Sequence, residues 1–96
     1  MTENIQEIEL KGENKYISWF FDKKYVYFTL RISAACFWFN SGHRCFFHLT
    51  DAEHNFGNLV CMGMDGEKYN FDVPITVEEA SAVCEVFFTF QRMRLQ

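Results

Sequence analysis

The chain has 96 residues, enough for one domain and too few for a second core. Hydrophobic residues make up 49% and aromatics 19%, with twelve Phe, which excludes a disordered chain. The formal net charge is −4, with only nine Lys and Arg, and this argues against a basic stripe for nucleic acid. The thirteen acids are scattered along the chain, which argues equally against a dense acidic mimic of a phosphate backbone.

A domain of this size buries only about 60–65% of the surface its unfolded chain exposes. Some of the many rings must therefore meet solvent, and a cluster of them would suggest an interface. The four cysteines are Cys36, Cys45, Cys61 and Cys84, each in an apolar stretch. The opening residues, Met-Thr-Glu-Asn-Ile-Gln-Glu, are polar and acidic rather than leader-like. Free, reduced thiols and a cytoplasmic location are expected. No apolar run approaches the ~18 residues of a membrane span, and Arg31 interrupts the greasiest region.

In chain order, residues 5–10 alternate weakly and predict a half-polar edge strand. Lys11-Gly12-Glu13-Asn14 is turn chemistry, and residues 15–21 are rich in β-formers. After Asp22-Lys23-Lys24, residues 25–39 read as strand almost throughout. Such a strand would span roughly 50 Å, too long for so small a domain, so a bend or bulge is expected near Ser33-Ala34-Ala35. Asn40-Ser41-Gly42 turns the chain into a strand over 44–49.

A two-residue loop at Ser41-Gly42 would set Trp38 opposite Cys45 and Cys36 opposite Phe47. Val26, Phe28, Leu30, Ile32, Ala34, Cys36 and Trp38 would then share an apolar face with Cys45, Phe47 and Leu49. A two-residue turn at Asp22-Lys23 would add Ile17, Trp19 and Phe21 to that face.

Thr50-Asp51-Ala52-Glu53 has the capping-box pattern, with Gly57 placed to end one helical turn. Strands over 58–64 and 67–73 flank Asp65-Gly66, in a register that opposes Val60 to Phe71 and Met62 to Tyr69, both pairs able to point at the core. Pro74 ends that ladder. Thr76-Val77-Glu78-Glu79 is a second capping box, opening a helix over 77–95. Its inner face carries Ala80, Val83, Phe87 and Phe90, widened by Val86 and Met93; Cys84 and Phe88 form a second apolar stripe. The fold class implied is α+β: a five- or six-stranded antiparallel meander sheet packed by one long C-terminal helix.

Chemistry is sparse. Cys36, His43, Cys45 and His48 are soft ligands close in sequence, but a strand would point Cys45 and His48 to opposite faces, and no Cys-x-x-Cys knuckle is present. No metal or other cofactor is expected. Both acidic pairs, Glu78-Glu79 and Asp51 with Glu53, open helical turns, so capping accounts for them without catalysis. Glycine-rich phosphate loops and nucleophile elbows are absent from the sequence.

The informative feature is the second sheet face. In the expected register it carries Tyr25, Tyr27, Arg31 and Phe37 beside Arg44, Phe46 and His48. Tyr and Arg are enriched at protein interfaces, where they combine large area with polar tips. These seven residues are the candidate anchors for another protein. Cys84 and Phe88 are the candidate homodimer stripe.

In size, acidity and aromatic surplus the chain is similar to phage or mobile-element inhibitors of bacterial defence, such as anti-CRISPR proteins, and to toxin-immunity proteins. That is an analogy of composition, carried by no particular residue. It implies a non-enzymatic inhibitor that works by steric occlusion. The alternatives are a homodimeric structural or small-ligand-binding module and a binder of single-stranded nucleic acid.

Overall fold

The computed structural model describes residues 11–22, 24–40, 42–62 and 70–94. Among these, seven strands precede one long helix: β1 Lys11–Glu13, β2 Ile17–Asp22, β3 Tyr25–Leu30, β4 Cys36–Asn40, β5 Arg44–Asp51, β6 Phe56–Met62, β7 Asn70–Thr76 and α1 Val77–Arg94. They form two antiparallel sheets, β1-β2-β3-β4 and β5-β6-β7, and α1 packs against strands of both. The α+β class and the antiparallel pairing of consecutive strands are those the sequence implies, but the single five- or six-stranded sheet is divided into two, of four and three strands. The expected strand over 5–10 lies outside the described residues, as does the Asp65-Gly66 turn.

The first strand seen, β1, occupies positions expected to be a turn. The reversal comes later, where the Asn14 side chain accepts hydrogen bonds from the backbone N–H groups of Tyr16 and Ile17 at 2.8 and 3.0 Å. Gly12 in β1 pairs with Trp19, and a Cβ at that position would collide with the Trp19 ring. The indole thus lies over the glycine, and the missing side chain is what admits it.

Strands β2 and β3 pair with Asp22 opposite Tyr25 and Ile17 opposite Leu30. This register is two residues from the expected one. Because side chains alternate with period two, Ile17, Trp19 and Phe21 still share a face with Val26, Phe28 and Leu30.

The expected long strand over 25–39 is instead a hairpin. At Arg31-Ile32-Ser33-Ala34 the chain reverses fully, at the site where a bend was expected. The Ala34 N–H donates to the Leu30 carbonyl at 2.8 Å, and the Leu30 N–H donates to the Ala35 carbonyl at 2.9 Å. Ala34 sits in the left-handed region at φ 64°.

This loop pairs Phe28 with Phe37 and Val26 with Phe39, so even positions of β3 share a face with odd positions of β4. Phe37 and Phe39 therefore enter the core, at 6% and 0% exposure, whereas Cys36 and Trp38 point outward. The expected apolar face is right up to Leu30 and inverted after Ala34.

Nor does β5 pair with β4. The His43 N–H closes a turn on the Asn40 carbonyl at 2.9 Å, and β5 then joins β6 in the second sheet. Arg44 lies opposite Met62, Phe46 opposite Val60 and His48 opposite Asn58, with an irregularity between Leu49 and Asp51. Asp51, one residue after the expected cap, accepts from the His54 N–H at 3.3 Å. Asn55, not Gly57, supplies the left-handed residue that ends this 3₁₀ turn, at φ 52°. Gly57 serves another need: a Cβ there would collide with the His48 carbonyl of the neighbouring strand.

Between β6 and β7 the register is one residue from expectation, with Leu59 opposite Val73 and Val60 opposite Asp72. The slip exchanges the faces. Leu59, Cys61, Val73 and Ile75 are buried, while Met62, expected inside, is exposed. Pro74 does not end the ladder: β7 continues to Thr76, since an edge strand leaves one backbone side without a strand partner.

The helix begins as its sequence requires. The Thr76 N–H donates to Glu79 Oε1 at 2.9 Å and the Glu79 N–H donates to Thr76 Oγ1 at 3.1 Å, a complete capping box. From α1, Ala80, Val83, Phe87 and Phe90 enter the core. Phe87 meets Phe39 with ring centroids 4.8 Å apart, and Phe90 meets Phe21 at 5.1 Å. Phe28, Phe37 and Phe39 form a triangle with sides of 5.5–5.7 Å. This aromatic cluster joins the helix to the first sheet.

Two outcomes follow for stability by denaturant titration. Phe39→Ala removes a ring from the centre of this cluster and should cost about 3–5 kcal/mol. Ala34→Gly relieves a left-handed Cβ and should stabilise the protein by about 0.5–1 kcal/mol; a loss of stability would mean that the reversal has another geometry.

Candidate binding surface on the outer sheet face

With α1 covering the inner face, the outer face of the first sheet is decided by strand register. One row runs Lys11, Phe20, Tyr27, Trp38 across all four strands. Beside it runs Asp22, Tyr25, Asn40, and on the other side Glu13, Ser18, Thr29, Cys36. At about 4.8 Å between strands, the long row extends roughly 14 Å.

Phe20, Tyr27 and Trp38 are exposed at 49%, 39% and 36%. Their rings support one another: Phe20 to Tyr27 at 6.1 Å, Tyr25 to Tyr27 at 6.3 Å, and Tyr25 edge-on to Trp38 at 5.2 Å. Rings that fix each other's positions lose little freedom on meeting a partner. The Trp38 ring also approaches the buried His43 at 6.0 Å. His43 Nδ1 accepts from the Asn40 N–H at 3.0 Å and the His43 carbonyl accepts from Gln91 of α1 at 3.4 Å. The turn below Trp38 is thereby tied to the helix.

Of the seven expected anchors, Tyr25 and Tyr27 lie in this surface. Phe37 does not: it is a core residue, because the hairpin at 31–34 inverts the face of β4. Trp38, assigned to the core from sequence, takes the outer position, and Phe20 completes the row. Arg31 is exposed, but its side chain serves the fold. Its Nη1 donates to the Asn14 carbonyl at 2.7 Å and lies 3.8 Å from Glu13, linking the β3–β4 loop to the β1–β2 turn.

Arg44, Phe46 and His48 are exposed on β5, in the other sheet, and do not extend the aromatic row by strand pairing. Arg44 and Phe46 line a shallow cavity of about 260 Å³ between β5 and α1, together with His43, Cys45, Phe87, Phe88 and Gln91. Phe88 of the expected dimer stripe is 53% exposed at this cavity, and Cys84 is half-buried.

All four cysteines are free. Cys45 pairs across the strands with Cys61. The Cys45 side chain holds the Cys84 thiol down to about 7, while Cys45 is raised, by the Cys84 side chain first and by burial second. Burial pushes Cys61 up to about 12. Among the described residues, Cys36, His43, Cys45 and His48 do not gather into a ligand cluster. Among the described residues the one group of three donors is Asp51, Glu53 and His54, where Asp51 caps the 3₁₀ turn and His54 Nδ1 lies 2.7 Å from its carboxylate. No described helix is long and apolar enough to cross a membrane.

No family model, curated protein or solved structure matches the chain.

The rings of the outer row lie on the scaffold without filling its core. Tyr27→Ala combined with Trp38→Ala should preserve the far-ultraviolet circular dichroism spectrum and cost only about 1–2 kcal/mol, the scale of exposed cross-strand pairs. Loss of the folded spectrum would mean that these rings are structural.

Proposed function

We propose that this protein is a non-enzymatic binding protein that occludes a surface of another protein with the outer face of its first sheet. The observation that carries this reading is the row Phe20, Tyr27, Trp38, three exposed rings side by side on three adjacent strands with Tyr25 against them. Tyr, Trp and Phe are enriched at the desolvated centres of interfaces, and their contribution is greatest when the surface is already ordered. A paired sheet backed by a buried aromatic cluster supplies that order.

The polar groups around the rings suit a protein partner better than a nucleic acid. Lys11 and Asp22 flank the row on the same face, so both signs are present beside the rings, and the whole chain carries −4. Stacking of single-stranded bases would require a basic track along the same face. A small acidic domain that acts by covering a partner fits the style of phage or mobile-element anti-defence proteins and toxin-immunity proteins, working in the cytoplasm.

The test is capture from a bacterial lysate by immobilised protein, with Tyr27→Ala/Trp38→Ala as control. The wild type should retain a specific protein that the double variant loses by at least about tenfold, as expected for removal of two central aromatic anchors. Equal retention by both would place the binding surface elsewhere. Light scattering across a concentration range should show a monomer; a stable dimer lost on the same double substitution would assign the face to self-association.

A further inference from the structure

The second sheet ends in an edge that the proposed binding face does not use. β5 pairs with β6 on one side and stands last in its sheet. In an antiparallel edge strand, alternate residues turn both their N–H and their C=O away from the ladder. From Arg44 to Leu49, no backbone group bonds outside the sheet among the described residues. The stretch holds no proline, and its one fixed charge is Arg44, so the usual protections of an edge are thin. The irregularity between Leu49 and Asp51 closes the stretch at its far end.

The two faces beside this edge differ in character. Cys45 and Phe47 are half-buried and pack against the core, whereas Arg44, Phe46 and His48 are exposed on the opposite face. At the start of β5, the cavity of about 260 Å³ lies between the strand and α1, with Phe87, the exposed Phe88 and Gln91 on the helix side. Arg44 also lines this cavity, and it forms no ion pair among the described residues.

We infer that β5 is a strand-addition site for an extended peptide segment of another protein, one whose side chains alternate between apolar and acidic.

The edge and its two faces fix that chemistry. Outward N–H and C=O groups at strand spacing are matched by a second extended backbone; a helix has already bonded its own. An added strand lies about 4.8 Å from β5 and sends alternate side chains to opposite faces. Those on the α1 side come beside Cys45 and Phe47, with the cavity walled by Phe87 and Phe88 within reach, so apolar groups suit them. Those on the other side come beside Arg44, where an unpaired guanidinium selects a carboxylate and repels a cation. The net charge of −4 is screened beyond about 8 Å at physiological salt, so the contact with Arg44 decides the preference.

The experiment uses full-length, isotopically labelled protein and, as probe, a blocked heptapeptide alternating leucine and glutamate. Titration should move the amide resonances of β5 and slow hydrogen exchange at alternate residues between Arg44 and Leu49 by about tenfold or more. N-methylation of one alternate set of peptide residues should weaken binding about tenfold or more, and methylation of the other set should leave it within about twofold, because an added strand bonds through one edge only. Arg44→Glu, a change at an exposed site, should weaken binding roughly fivefold or more and admit the leucine–lysine counterpart. Tyr27→Ala/Trp38→Ala should bind the peptide within about twofold, which separates this site from the outer face of the first sheet. Resonance changes confined to β2, β3 and β4, equal effects of the two methylated sets, or no change at about 1 mM peptide overturn the assignment. Slowed exchange of the same amides on raising the protein concentration without peptide also overturns it, by assigning the edge to a second copy of the chain.

Discussion

The reversal at residues 31–34 is the constraint on which the rest of the structure depends. A strand has two faces and no third option, so the number of residues in a loop decides which side chains return inward. Here the loop carries Ala34 in a left-handed conformation and brings Cys36 back opposite Thr29. That one parity choice sends Phe37 and Phe39 beneath the sheet and leaves Trp38 above it. The core triangle of Phe28, Phe37 and Phe39 and the outer row of Phe20, Tyr27 and Trp38 are two consequences of the same turn. An alanine with a positive φ carries a conformational cost there, and the burial of two phenylalanines offsets it.

The helix converts two small sheets into one body. Neither a four-stranded nor a three-stranded sheet covers its own apolar face, and α1 touches strands of both. Its entry is fixed by the reciprocal bonds between Thr76 and Glu79, directly after β7, so the third strand of one sheet sets the helix direction. Its exit half meets the other sheet through Phe87 on Phe39 and Phe90 on Phe21. Every buried side-chain nitrogen and oxygen among the described residues has a partner, including those of His43 and Glu79. The aromatic surface is therefore held on a scaffold with its polar groups satisfied, the condition under which exposed rings can act as preorganised anchors.

What was legible in the sequence was local. The Thr76 capping box, the inner stripe of α1 and the β2–β3 face all follow from patterns within a few residues, and a two-residue slip in β2–β3 did no harm because it preserves parity. What was not legible depended on loop counts. No glycine or proline marks the turn at 31–34, so a run of β-formers from Tyr25 to Phe39 conceals a hairpin. That omission exchanged Phe37 for Trp38 in the candidate site and joined β5 to the wrong sheet. A one-residue error between β6 and β7 placed Met62 inside for the same reason.

The most direct test of the central claim is nuclear Overhauser contact mapping of Trp38 in isotopically labelled protein. The inverted hairpin places Trp38 opposite Tyr27 and edge-on to Tyr25. Cross-peaks from Trp38 to both tyrosines, with Phe37 connected to Phe28, are the predicted result. Cross-strand contacts between Trp38 and Cys45, with Phe37 exposed, would contradict it and return the aromatic face to the core.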